Sequence, residues 1–309
     1  MADIILHHYP GSHFSEKIRR ILAYKKVPWH SVEQPIMMPK PELQQLTGGY
    51  RRAPVMQIGA DIYCDTTCIA RRIEQLHPQP ACIPAHLSTM IALLEDWADK
   101  RLGWLLLLPS FTELIPVLPP NIMDDRAKMG LGLTKEAFVA GAPQAMSQVI
   151  VFLARLDALL GKQKFLLGSE FTLADAACYY GLWLMKNSPD LFRQVMAKYP
   201  AVTAWFDRIE AFGPGDMKTM TYADAFRIAR ESEPADLDGG VECVEALGMA
   251  AEIRRGSKVS IVADDYGREE VGGKLVRITG EEVTVLRQDS DLGNIAVHFP
   301  RVGYRITPH

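Results

Sequence analysis

Cysteine is scarce and unpatterned: five residues, at positions 64, 68, 82, 178 and 243, in a chain of 309. No framework spacing links them and an odd number leaves one over. That excludes a disulfide scaffold and points to free thiols in a reducing compartment. Cys64 and Cys68 read as small apolar fillers rather than as redox or metal groups. Long hydrophobic runs are missing too. The greasiest, Trp104 to Leu108, is broken by Pro109, Glu113 and Pro116 well short of a bilayer span. The N-terminus carries Asp3 and no basic stretch ahead of a long apolar run, so no signal peptide is read there. Charge of one sign is also lacking: the formal net charge is −3, which argues against nucleic-acid or anionic-membrane partners. No internal repeat or low-complexity tract appears. The expectation is a soluble, cytoplasmic protein.

What is present suits a sizeable core in more than one domain. Apolar residues make up 48% and charged residues 23%, and the length favours two or three domains. The charge is uneven. Residues 1–84 hold 10 Lys/Arg against 7 Asp/Glu, a mild excess suited to an anionic ligand. Residues 216–251 hold 3 against 8 and read as an acidic connector.

The most informative stretch runs from Tyr9 to Leu22. Ahead of it lies Ile4-Ile5-Leu6, short enough for one buried strand. Behind it Phe14, Ile18, Ile21 and Leu22 recur at helical spacing, with Lys17, Arg19 and Arg20 on the other face. Pro10 and Gly11 supply the turn, and Ser12 stands where a helix cap belongs. A strand, a tight loop and a capped helix leave unpaired amides and the positive end of a dipole at the helix start, which favour an anion. An ordinary N-cap accounts equally for Ser12 taken alone. Further on, Arg52-Ala53-Pro54-Val55 precedes a second apolar run. Ile62-Tyr63-Cys64 then leads into Asp65-Thr66-Thr67 and another helical pattern, so an acid and a hydroxyl sit at a helix start.

At these residues the chain resembles the cytosolic glutathione transferases. Their first domain is thioredoxin-like, with a Ser, Cys or Tyr near the first helix, a Val-Pro pair whose proline is cis, and a Glu/Asp-Ser pair. Here those features fall on Ser12, Ala53-Pro54 and Asp65-Thr66, with Ala for Val and Thr for Ser as departures. The resemblance implies that Ser12 stabilises the glutathione thiolate and that Phe14 lies beside it. It implies further that Ala53 offers its backbone to the cysteinyl portion, turned by Pro54. Asp65 and Thr66 would hold the glutamyl end, and Arg51 or Arg52 the glycyl carboxylate. Both positions of the redox Cys-x-x-Cys pattern are serine, Ser12 and Ser15, which excludes dithiol exchange there because serine forms no mixed disulfide. His13 reads as a surface or partly packed histidine rather than a base, and Tyr9 as an alternative hydroxyl whose place at the strand end points to packing.

The remainder fits the same resemblance for most of its length. From 88 to 212 the pattern is helical, with Leu93, Leu94, Trp97, Arg101 and Trp104 on one helix. A proline-rich interruption at 114–121 comes next, and helix resumes at Gln148–Leu160. Segment 118–143 reads as a cover for a pocket or as an insertion. Thr172 and Asp175 form a capping box, a structural marker of the family's all-helical domain. A short helix is expected at Tyr222–Arg230, then an acidic linker with Pro234 and Gly239-Gly240. Five strand-like runs complete the chain, at 258–263, 273–278, 282–287, 294–299 and 304–307, alternating with the period of half-buried strands. The resulting expectation is α/β plus all-α plus small β. It comprises a thioredoxin-like domain at 1–82 and an all-helical domain at 88–213 with an electrophile pocket walled by Trp97, Arg101, Trp104 and Leu108. A helix and acidic linker occupy 214–250, and a small SH3-like barrel 251–309. The functional expectation is a homodimeric glutathione transferase attacking a hydrophobic electrophile, with no metal. A non-catalytic glutathione-binding or carrier protein, or an interaction protein using the tail, is the alternative.

Overall fold

Four short apolar runs near the start of the chain pair into one sheet. In this computed structural model, which describes residues 3–131, 134–235, 237 and 253–308, β1 (Ile5–His8) leads into α1 (His13–Lys25) and β2 (Trp29–Glu33). Then come α2 (Pro41–Thr47), β3 (Val55–Ile58), β4 (Asp61–Cys64) and α3 (Thr66–Leu76). β1 lies parallel to β2 and antiparallel to β3, and β3 and β4 form a hairpin. Gly59, at φ 61°, makes its turn, a left-handed conformation that favours glycine. Ile5, Leu6, Val55, Met56 and Ile62 are fully buried, as expected for strands covered on both faces. This is the thioredoxin-like layer.

The all-helical layer comprises α4 (Ser88–Trp97), α5 (Gly103–Leu114), α6 (Ile122–Lys128), α7 (Lys135–Leu160), α8 (Leu173–Met185), α9 (Pro189–Met196) and α10 (Pro200–Glu210). Two sequence expectations change here. Residues Ala98–Leu102 form a π-helical segment joining α4 to α5, and Pro109 sits inside α5 rather than ending it. Leu106, Pro109 and Ser110 are buried, and that packing outweighs the one backbone bond a proline removes. Helix α7 likewise begins at Lys135, not near Gln148. Thr134 caps it through a bond from the Ala137 amide, and Pro143 lies within it. Within segment 118–143, residues 122–128 and 135–143 are therefore helical. By length and hydropathy α7 could cross a membrane, with a mean hydropathy of 1.5 over its most apolar window. It packs Val149, Leu153, Leu156 and Leu160 into the same core as α5, α8 and α10.

The capping box is present and fully buried. The Thr172 amide and hydroxyl both donate to Asp175 Oδ2 at 2.9 Å. Oδ1 accepts from the Leu166 amide at 2.8 Å and from Trp205 Nε1 at 2.9 Å. One carboxylate thus ties the loop before α8, the start of α8 and α10 together.

After α10 the chain departs from a two-domain plan. β5 (Met217–Thr219), which the linker expectation missed, lies parallel to β2 at one sheet edge, and α11 (Tyr222–Arg230) falls where the sequence placed a helix. Of the linker, Gly239-Gly240 lies outside the described residues. The tail strands are β6 (Lys258–Ala263), β7 (Val271–Ile278), β8 (Glu282–Asp289), β9 (Gly293–Pro300) and β10 (Tyr304–Pro308). β6 to β9 form an antiparallel meander, and β10 returns to pair with β6. This small β module is not free-standing. β9 lies parallel to β4, with Asp61 opposite Ala296 and Tyr63 opposite His298, so ten strands make one sheet. Its core is shared as well: Val259, Val271, Val283 and Val297 pack with Leu43, Tyr50, Val55 and Ile62 of the first domain.

His298 fastens the junction. Its Nε2 lies 2.8 Å from Asp61 Oδ1, its Nδ1 lies 3.2 Å from Glu282 Oε1 and 3.1 Å from the Thr284 hydroxyl, and its ring stacks on Tyr63 at 4.3 Å. Burial opposes the imidazolium, yet the bonds and charges of Asp61 and Glu282 carry its pKa above the ordinary 6.5. A histidine raised on folding contributes stability that is complete below the unfolded pKa and lost as pH rises through the folded one. The melting temperature of the native chain relative to His298→Gln is therefore expected to be highest below about pH 6.5 and to fall towards that of the variant as pH rises above it. Separately, Asp175→Ala is expected to lower unfolding free energy by about 3 kcal/mol or more, since four donors lose a charged acceptor; urea denaturation measures it.

Candidate active site

Strand pairing gathers the site residues at one end of the sheet. His7 opposite Val55, and Val55 opposite Cys64, bring the start of α1, the Ala53–Pro54 bond and Asp65 to a common edge. That bond is cis. Ser12 is the N-cap of α1: its Oγ accepts from the Ser15 amide at 3.2 Å, and the residue is only 2% exposed. The bond uses a lone pair and leaves the hydroxyl proton to donate. Phe14 and His13 face the helical domain, with ring centroids 5.0 and 5.5 Å from Tyr180 of α8. Burial, aided by Arg126, lowers His13 to about 4, so it is neutral at pH 7.

Asp65 adopts φ 76°, a conformation that costs a non-glycine residue about 1–3 kcal/mol and that clusters at functional sites. Its Oδ1 caps α3 through the Thr67 amide at 2.9 Å. Its Oδ2 accepts from the Tyr304 hydroxyl, on β10, at 3.1 Å. Thr66 Oγ1 accepts from Lys17 Nζ at 3.1 Å. The sequence placed Lys17 on the outer face of α1, whereas it is fully buried because α8 packs against α1 and Glu95 of α4 reaches its ammonium. It also pairs with Glu95 at 2.7 Å and Asp99 at 2.8 Å. Burial disfavours the cation, but the two carboxylates raise its pKa, so Lys17 stays charged. With one cation between two acids, burial holds Asp99 above the usual carboxylate range, Lys17 acting the other way and Glu95 adding to the rise.

Arg52 is engaged by the tail. Its guanidinium pairs with the Asp265 carboxylate and donates to the Tyr266 carbonyl, and it lies over the Tyr266 ring 4.0 Å from the centroid. Arg51 pairs with Asp125 of α6 at 2.5 Å and Glu269 at 3.3 Å. Neither arginine is thus an uncommitted carboxylate receptor. The sequence reading passed over a better one. Lys40 is buried, donates to the Arg51 carbonyl at 3.2 Å, lies over the Tyr9 ring at 5.7 Å, and makes no ion pair among the described residues. Burial, with Arg126 and Arg51 nearby, lowers it to about 8. Its sequence signal was thin, a lone lysine after a proline.

The expected electrophile wall is split. Trp97 packs on Phe152 at 5.0 Å and Arg101 bonds Gln148 at 2.6 Å, both towards α7, and Leu108 lies beside Gly141. Trp104 turns the other way and meets the Tyr266 ring edge-on at 6.2 Å. The π-helical segment between Trp97 and Trp104 explains the division, because an extra residue in a turn rotates the later side chains off the original stripe. The cysteines 64, 68, 82 and 178 are buried, and burial pushes their thiols up, away from reactivity.

Comparison with known proteins respects the same division of the chain. Residues 6–81 match the N-terminal domain of glutathione S-transferases, and residues 140–208 match the C-terminal domain. No curated protein matches the chain. Among solved structures, a GST-like protein from Pseudomonas syringae is 35% identical over the whole of both chains, with a TM-score of 0.81. The β-etherase LigF from Sphingobium is 17% identical, covering 68% of this chain and 96% of its own, with a TM-score of 0.53. A glutathione-bound theta class glutathione S-transferase from Xanthomonas axonopodis pv. citri is 19% identical, covering 71% of this chain and 99% of its own, at 0.50. The latter two likenesses speak for the fold. Full-length identity to the first, with both domain matches, carries the assignment: the chain belongs to the glutathione transferase family.

Proposed function

We propose that the chain is a glutathione transferase in which Ser12 stabilises the thiolate for attack on a hydrophobic electrophile. The observation that carries this reading is the Ser12 hydroxyl, buried at the cap of α1, which accepts one bond from the Ser15 amide and keeps its proton to donate. A free thiol has a pKa of about 8.5, and lowering it by about two units takes roughly 2.7 kcal/mol in favour of the anion. A partly buried helix N-terminus supplies up to about 2 kcal/mol, and a hydroxyl bonded to a charged acceptor about 1.5–3. Together they suffice, so Ser12 acts as a donor and no base is required.

The rest of the tripeptide is assigned residue by residue. Phe14 lies beside the sulfur. Ala53, turned by Pro54, offers backbone groups to the cysteinyl portion. Asp65 pairs with the glutamyl ammonium, and Thr66 with its carboxylate at the start of α3. The glycyl carboxylate falls to Lys40, in place of Arg52. Of the expected pocket wall, Trp104 is retained. The family resemblance extends the proposal to a homodimer and a cytoplasmic location.

A second reading, a glutathione binder or carrier without turnover, draws on the tail side chains that already occupy Arg52 and Asp65. Turnover of an aryl halide by the native chain separates the two. Ser12→Ala is expected to lower that turnover by about 10–100-fold with the glutathione dissociation constant nearly unchanged, the mark of an interaction serving the charged state. Unchanged turnover removes Ser12 from its role. Asp65→Ala is expected to raise the dissociation constant about tenfold, read by calorimetry. An unchanged constant returns Asp65 to capping.

A further inference from the structure

We propose that the loop joining β6 to β7, residues 264–270, is a built-in competitor of glutathione, with Asp265 and Tyr266 lying where the tripeptide binds. This inference rests on the glutathione reading above and adds a form of regulation to the same site. Two residues at that end of the first domain, Arg52 and Asp65, have partners from the tail. Arg52 holds a carboxylate and a peptide carbonyl, from Asp265 and Tyr266, the two acceptors an acidic peptide presents. Asp65 is capped by the Tyr304 hydroxyl. The Tyr266 ring fills the space between Arg52 and Trp104, and the Gly267 amide donates to the Met129 carbonyl at 2.7 Å, so the loop spans both domains. Gly267 is closely seated: its φ of 57° strains any side chain, and an added Cβ would lie 3.1 Å from Arg52 Nε. Two open cavities, of about 300 and 190 Å³, lie elsewhere, beside Pro109 and Met146 and beside Arg20 and Pro214.

The loop is able to leave without the module coming apart. Val259, Ile261, Val271 and Leu275 bury the strands on either side, while Asp264, Asp265, Arg268 and Glu270 are exposed. Its seat depends on side-chain pairs, one ring and the single backbone bond from Gly267 to Met129. Its composition also matches its rival: Asp264, Asp265, Glu269 and Glu270 against a single Arg268 make an acidic segment facing Arg51 and Arg52. Glutathione, likewise acidic, competes with this segment for the space beside Arg52 and Trp104.

A loop seated for about nine-tenths of the time weakens apparent affinity about tenfold. Calorimetric titration with glutathione of the native chain, of Tyr266→Ala and of the Asp265→Asn/Tyr266→Ala pair tests this, alongside hydrogen exchange on the native chain. The expected result is a dissociation constant about tenfold lower in the paired variant, its melting temperature little changed. Saturating the native chain with glutathione should also accelerate exchange at 264–270 and leave β6 and β7 protected. Equal or weaker binding by folded variants, or unchanged loop exchange on saturation, overturns the competitor and leaves glutathione binding standing. Absence of binding to all three proteins overturns the glutathione reading itself, and this inference with it.

Discussion

The parallel pairing of β9 with β4 is the constraint on which the rest of the structure depends. Without it β4 would be an edge strand, with a row of unpaired amides and carbonyls inviting contact with another chain. The tail supplies the missing neighbour and covers the outer face of the hairpin with Val259, Val271 and Val283. His298 then fixes the junction by bridging Asp61 on one side and Glu282 on the other. Because β9 is fixed in this way, β10 and the loop after β6 reach the end of the sheet where Ser12 and Asp65 lie. A module that looks like an appendage in sequence is part of the first domain's architecture.

Buried charge is the second organising theme. Lys17, Arg51, Arg52 and Lys40 all lie near the interdomain surface, and the first three answer carboxylates supplied by α4, its π-helical continuation, α6 and the tail. Breaking the Lys17 or Arg51 pairs would leave an uncompensated ion in a dry setting, which is far more destabilising than losing the half-exposed Arg52–Asp265 pair. The domains are therefore held in one relative placement by specific ion pairs as well as by the apolar core around Leu102, Leu106 and Leu153. Lys40 is the exception, a buried cation over the Tyr9 ring with no ion pair among the described residues.

Local chemistry was readable in the sequence, and long-range placement was not. Ser12 as a cap, Asp65 ahead of a helix, the Thr172–Asp175 box and the five tail runs each arise from spacing over a few residues, and each element is present in the structure. The π-helical turn at 98–102 has no comparable signature, so Trp97 and Trp104 looked like one face. Pro109 and Pro143 read as breakers because propensity is local, whereas buried neighbours decided their helices. Lys17 looked solvated because nothing within its own helix reveals that α8 packs against it and that Glu95 of α4 reaches the ammonium. The commitment of Arg52 was hidden for the same reason: its partners lie more than 200 positions away, at Asp265 and Tyr266.

The same pairing has a consequence for synthesis. Asp61 meets Ala296, a separation of 235 residues (296 − 61), so the β4 edge stays bare until the β9 segment has emerged from the ribosome. Contacts this distant in sequence form late, since closure of the intervening loop precedes any gain from the pairing. Until then the nascent first domain exposes both an unpaired strand and the apolar patch of Leu43, Leu46, Val55 and Ile62. Its most vulnerable interval is thus the translation of its own middle, when a holdase covering that edge would do the tail's work in advance.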